Sequence, residues 1–162
     1  MAIRQVRYEG DPVLRVKCKK VNEISPRIKR LIEDMFDTMY ELNGVGLAAP
    51  QIGIVRRIVV IDDYNGAKYA LINPYIVSEI GEQESKEGCL SIPGYYGYVK
   101  RPSEIHVKAL NENGEEIEIK ANGMLANILS HELDHLDGVL YKDKAYEFAK
   151  LEEDKELSDE DE

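Results

Sequence analysis

The sequence predicts an α+β protein with antiparallel sheets and one helix in its interior. Three observations carry that expectation. Asn-Gly dipeptides stand between short, alternating apolar runs, which is how β-hairpins are written. Hairpins outnumber any strand–helix–strand crossover, so antiparallel pairing follows. One helical segment is apolar on one side only, whereas a second is apolar nearly all round and belongs in a core.

The elements follow in order. The spacing predicts an N-terminal amphipathic helix over residues 26–42. Ser25 is a good N-cap, and Pro26 suits the first helical position. Ile28, Leu31, Ile32, Met35, Met39 and Leu42 recur at helical intervals and make one apolar face. Asn43-Gly44 should end the helix, with the glycine taking the left-handed conformation. Strands are expected over 57–61 and 68–72 around Asn65-Gly66. Another is expected over 75–80, after a break in the ladder at Pro74. A second hairpin joins 105–110 to 116–120 near Asn113-Gly114, and Glu116 to Lys120 alternates as a half-wet strand does. The second helix covers 124–136, where Met124, Leu125, Ala126, Ile128, Leu129, Leu133 and Leu136 take up most of the circumference. Asp137-Gly138 closes it.

A length of 162 residues suits one domain, here residues 1–151, and 43% hydrophobic content is ordinary for a folded chain. The net charge of −10 is unevenly spread. Residues 152–162 hold eight acids against Lys155, a net −7 that leaves only −3 for the rest. That acidic tail lacks the apolar content to bury and is expected to be disordered. Such a balance offers no footprint for general nucleic-acid binding, and no direct nucleic-acid site is expected. Two cysteines cannot make the disulfide framework of a small secreted domain. No apolar stretch reads as a signal peptide or membrane span, so a cytoplasmic, membrane-free setting is expected.

The second helix carries His131-Glu132-Leu133-Asp134-His135. Residues four apart share one face, so both imidazoles can reach one ion. Glu132 is offset by about 100° and can approach a reacting water without joining the ligand set. Two histidines and a carboxylate in an otherwise apolar helix are costly to bury without a purpose, which favours a metal over hydrogen-bonded core histidines. A catalytic site usually has a third protein ligand. Tyr141 stands where a metzincin would place its third histidine. Glu147, Glu152, Glu153 or Glu156 could serve as in thermolysin, although a terminus is a poor place for a fixed ligand. Cys89 is the better candidate, in Glu87-Gly88-Cys89-Leu90-Ser91 just before Pro93-Gly94, where the chain can bend toward the helix. Cys18, among Lys17, Lys19 and Lys20, is expected at or near the surface.

A third segment, Gly44-Val45-Gly46-Leu47-Ala48-Ala49-Pro50-Gln51, completes a pattern. Taken in order, the three segments resemble the signature motifs of the peptide deformylase family: Gly-x-Gly-Leu-Ala-Ala-x-Gln, Glu-Gly-Cys-Leu-Ser and His-Glu-x-Asp-His. The resemblance runs from the N-terminal segment to Tyr141. It implies a central motif-bearing helix enclosed by antiparallel β-sheets. It also implies a bacterial enzyme that hydrolyses the formyl group from formyl-methionyl nascent proteins and releases formate. By the same resemblance Cys89, His131 and His135 bind the metal, typically ferrous iron, which zinc, nickel or cobalt can replace. Glu132 is then the general acid/base, and the Gln51 side-chain amide and the Leu90 backbone N–H are the oxyanion donors. Gly46 and Gly88 would let the substrate backbone come close as an added strand. Val45, Met124, Asn127, Ile128 and His131 would line the methionine pocket.

The chain also departs from the family pattern. Ser130 stands where glutamine is common, and Asn127 is polar at the pocket edge. The family's better-known bacterial members end in a basic C-terminal helix that is thought to dock on the ribosome. A transient ribosome contact is therefore expected, but the acidic end rules out carrying over that docking mode. Two rivals remain: an HExxH-type metallopeptidase with another third ligand, and a non-catalytic peptide-binding relative.

Overall fold

The computed structural model describes residues 2–151. The acidic tail expected over 152–162 lies outside the described residues. A 3-10 turn, Pro12–Arg15, precedes helix α1, Pro26–Glu41. Ser25 Oγ accepts from the Ile28 N–H at 3.3 Å and caps α1. At its end Asn43, not Gly44, takes the left-handed conformation, with φ 56°. Asparagine tolerates that region because its short polar side chain can bond locally.

Among the described residues eight strands follow the first helix, and all pair antiparallel. They are β1 Gly46–Ala48, β2 Ile58–Asp62, β3 Lys68–Ile80, β4 Gln83–Cys89, β5 Ile92–Arg101, β6 Glu104–Leu110, β7 Glu116–Asn122 and, at the end, β8 Glu147–Lys150. Helix α2, Gly123–His135, lies between β7 and β8. One sheet has the order β1-β2-β3-β6-β7 and the other β4-β5-β8.

The strand expected to break at Pro74 is a single strand. The β3–β6 register shifts between Ile72 and Tyr75, and Asn73 sits there at φ 53°. Its side-chain amide replaces the missing ladder bonds, donating to Val21 O and accepting from the Val21 N–H, both at 2.8 Å.

Packing explains why β2 is continuously apolar. Ile58 and Val60 face a core built on Met35 and Met39 of α1, while Val59 and Ile61 face Leu129, Leu133 and Leu136 around α2. Both faces of that sheet are therefore dry near β2. Helix α2 also touches β4 and β5, so it lies between the two sheets. Cys18 corrects the surface expectation: it is buried in the core beside α2, and its N–H donates to Leu136 O at 2.8 Å. Lys19 forms a parallel bridge with Arg56, and the local alternation turns Cys18 inward between its lysine neighbours. Burial pushes its thiol pKa up.

Candidate active site

Helix α2 delivers His131 and His135 one turn apart, with ring centroids 5.0 Å from each other. The end of β4 delivers Cys89, whose Sγ lies 3.5 Å from His135 Nε2. One donor atom from each of these residues lies within 4.8 Å of the others. A four-coordinate ion bound at 2.0–2.3 Å needs ligand atoms roughly 3.3–3.8 Å apart, so small movements would close the set on one ion. The buried Glu132 Oε1 has no hydrogen-bond partner among the described residues, and its other oxygen lies 3.9 Å from His131 Nε2. A thiolate, two imidazoles and a poised carboxylate fit a catalytic metal.

The orientation of His131 has a cause that the motifs did not reveal. Its Nδ1 lies 2.7 Å from Glu87 Oε1, which leaves Nε2 to face Cys89 and Glu132. Arg101 is 2% exposed and holds Glu87 with two bonds, at 2.7 and 2.8 Å. Its remaining nitrogen reaches Asp134 at 2.6 Å and Ser130 Oγ at 3.3 Å. Ser130 therefore serves as an acceptor for this guanidinium where the family pattern has glutamine. The Tyr141 ring stacks on His131 with centroids 5.9 Å apart. No local pattern marks Arg101, because its partners lie 14 to 33 residues away in the chain.

Charges follow from these contacts. Burial would raise the Glu87 pKa, but the bonds from Arg101 and His131 win and bring it down to about 2. Glu132 is pushed up to about 7, chiefly by burial. His135 is driven well below its ordinary value by burial and by the neighbouring His131 and Arg101. Burial opposes the charge on His131, yet Cys89, Glu132 and Glu87 together hold its pKa well above normal. A bound cation would displace that proton.

Gln51 is 1% exposed, and its amide is oriented by its partners. Oε1 accepts from the Ala48 N–H at 2.9 Å, so Nε2 turns to Ser91 Oγ at 3.1 Å and Cys89 Sγ at 3.5 Å. A cleft of about 410 Å³ opens over these groups. Val45, Gly46, Gly88, Met124, Asn127 and Ile128 all line it, with Gln51, Cys89, Leu90, His131 and Glu132. A larger groove of about 950 Å³ beside Cys18 contains none of the three donors. The glycines differ in what they do. A Cβ at Gly46 would lie 2.5 Å from Glu132 Oε2, so that position makes room for the carboxylate. At Gly88 the nearest atom would be Tyr95 O at 3.6 Å, so packing alone does not demand glycine there.

The sequence profile of the family described as polypeptide deformylase matches residues 3–151. The chain belongs to that family. Its resemblance to a peptide deformylase of Acetivibrio thermocellus is 54% identity over 148 residues, covering 91% of this chain and 86% of that protein. A crystal structure of a peptide deformylase from Legionella pneumophila superposes with a TM-score of 0.87 at 43% identity, covering 97% of this chain and 98% of that one. A Synechococcus elongatus peptide deformylase in complex with actinonin gives a TM-score of 0.85 at 40% identity, covering 96% and 85%. The chain is a metal-dependent hydrolase of the N-formyl amide, acting on formyl-methionyl nascent proteins and releasing formate. The metallopeptidase alternative is not favoured. Of its candidate ligands, Glu147 lies on β8 outside the donor group, and the others fall outside the described residues.

Proposed function

We propose that Cys89 Sγ and the Nε2 atoms of His131 and His135 hold the catalytic metal of this deformylase. That metal is ferrous iron, with zinc, nickel or cobalt as substitutes. The carrying observation is the convergence of these donors at one cleft, with His131 Nδ1 already committed to Glu87. Thiolate and imidazole donors suit such metals rather than magnesium or calcium. Held by these residues, the ion would supply Lewis acidity toward the formyl oxygen and the attacking water.

The protein's own groups do the rest. Glu132 takes the water's proton and returns it to the departing amine nitrogen. Gln51 Nε2 and the Leu90 N–H donate to the formyl oxygen as it becomes an oxyanion. Val45, Met124, Asn127, Ile128 and His131 receive the methionine side chain. The peptide lies as an added strand, with its closest approach over Gly88 and beside Gly46. Residues 1–151 form the catalytic domain, with the amphipathic α1 supporting the sheet from the face opposite α2. The setting is the bacterial cytoplasm, a reading that the bacterial relatives support, and a transient ribosome contact belongs to the same proposal. By likeness to the cyanobacterial complex, the cleft should also accept actinonin.

Protein purified without oxygen should release formate from a formyl-Met peptide and carry about one metal per chain. Cys89→Ala should lose activity and much of the metal, and Cys18→Ala should change neither. X-ray absorption at the metal edge that finds only nitrogen and oxygen neighbours in an active sample would sink this ligand set.

A further inference from the structure

We propose that Asn127 reads the thioether sulfur of the substrate's first side chain, with Gln83 as the positioning residue that aims it. The inference rests on the deformylase reading of the cleft. Gln83 opens β4, and its Nε2 lies 2.7 Å from Gly123 O, 3.4 Å from Pro102 O and 2.8 Å from Asn127 Oδ1. Backbone carbonyls only accept hydrogen bonds, so the Gln83 atom facing two of them must be the nitrogen. Its third contact must also be an acceptor, which assigns Oδ1 of Asn127 to that side. The Asn127 Nδ2 group is thereby turned away from Gln83. It has no hydrogen-bond partner among the described residues, and Asn127 lines the cleft beside Met124 and Ile128. Beside the apolar Met124 and Ile128, this leaves one N–H donor whose orientation is set from a neighbouring strand.

A methionine side chain offers that donor one acceptor, the thioether sulfur. Norleucine has nearly the same shape but a methylene in place of sulfur, so it leaves the amide desolvated and unpaired. The device therefore favours methionine over its hydrocarbon analogue, not a large side chain over a small one.

The test compares kcat/KM for formyl-Met-Ala-Ser and formyl-norleucyl-Ala-Ser on metal-loaded wild type, Asn127→Leu and Gln83→Glu. The readout is the Met/norleucine ratio within one sample, so a changed folded or loaded fraction cancels. Asn127→Leu should lower that ratio by about two- to tenfold, the span of one modest hydrogen bond. In Gln83→Glu the ionised carboxylate can only accept, so it draws Asn127 Nδ2 to itself and turns Oδ1 toward the cleft. The ratio should fall there too, although Asn127 is untouched. An Asn127→Leu ratio equal to that of wild type overturns the assignment while formate release keeps the deformylase reading. Failure of wild type to release formate from either peptide overturns that reading, and this inference with it.

Discussion

Replacing Glu132 by alanine removes the carboxylate that stands beside the three donors without being among them. Metal content should stay near that of wild type while turnover falls by about 10²–10⁴, the usual contribution of a placed acid/base. Turnover and metal stoichiometry measured on one preparation check this, and loss of the metal would make Glu132 a ligand. The side chain has little freedom to drift, because the absent Cβ of Gly46 is the space it occupies. The His-Glu-x-x-His spacing was legible at this scale because both histidines and Glu132 belong to one helix. Cys18 was not: three flanking lysines suggested water, but alternation decides which way each side chain turns.

At the scale of elements, Arg101 ties β5 to β4 through Glu87 and to α2 through Asp134. Arg101→Leu should lower stability by about 3–5 kcal/mol, because it takes the cation from the buried Glu87 carboxylate instead of deleting a whole ion pair. Denaturant midpoints of the metal-free protein measure this. The pH dependence has a definite sign. With a folded pKa of about 2 against an ordinary 4.5, Glu87 binds fewer protons folded than unfolded between those values. Its stabilisation is therefore present above that window and lost as pH falls through it. Without the guanidinium the folded pKa moves up toward the unfolded value, so the variant has less of this contribution to lose and its deficit against wild type should narrow as pH falls through the window. A variant whose midpoints match wild type at pH 7 and pH 4 would contradict the account.

The hairpins β2–β3 and β6–β7 were legible because their turns and alternation are local. β4 and β5 were not. Gln83 to Cys89 is polar, since its inward positions hold Ser85 and Glu87, and β5 begins Ile92-Pro93-Gly94. Glu87 of β4 and Arg101 of β5 turn inward to the network around His131, while Ile92 and Val99 of β5 pack in a small apolar cluster with Leu14, Leu140 and Tyr141. The two strands therefore lack the periodicity that announces a strand.

Across the whole molecule, charge and chemistry are kept apart. The last eleven residues carry −7, yet the donors, the carboxylate and the cleft lie within residues 43–151. Removing 152–162 should leave turnover of a short formylated peptide within about twofold, as terminal truncations usually do. The cut should spare Leu151, which lines the cleft. A collapse in activity with the fold intact would show that the tail reaches the site.

The donor set also spans the architecture: Cys89 belongs to the three-stranded sheet, and both histidines belong to a helix whose core is shared with the five-stranded one. An ion held by all three would stitch two layers together, and its binding energy would become folding energy. Supply of the ion would then govern how many molecules survive as well as how fast each one works. In a cell starved of metal, the unstitched chain visits its unfolded ensemble more often and meets the proteases that clear it. Scarcity would reduce the population of the enzyme before the competence of any single copy could be measured.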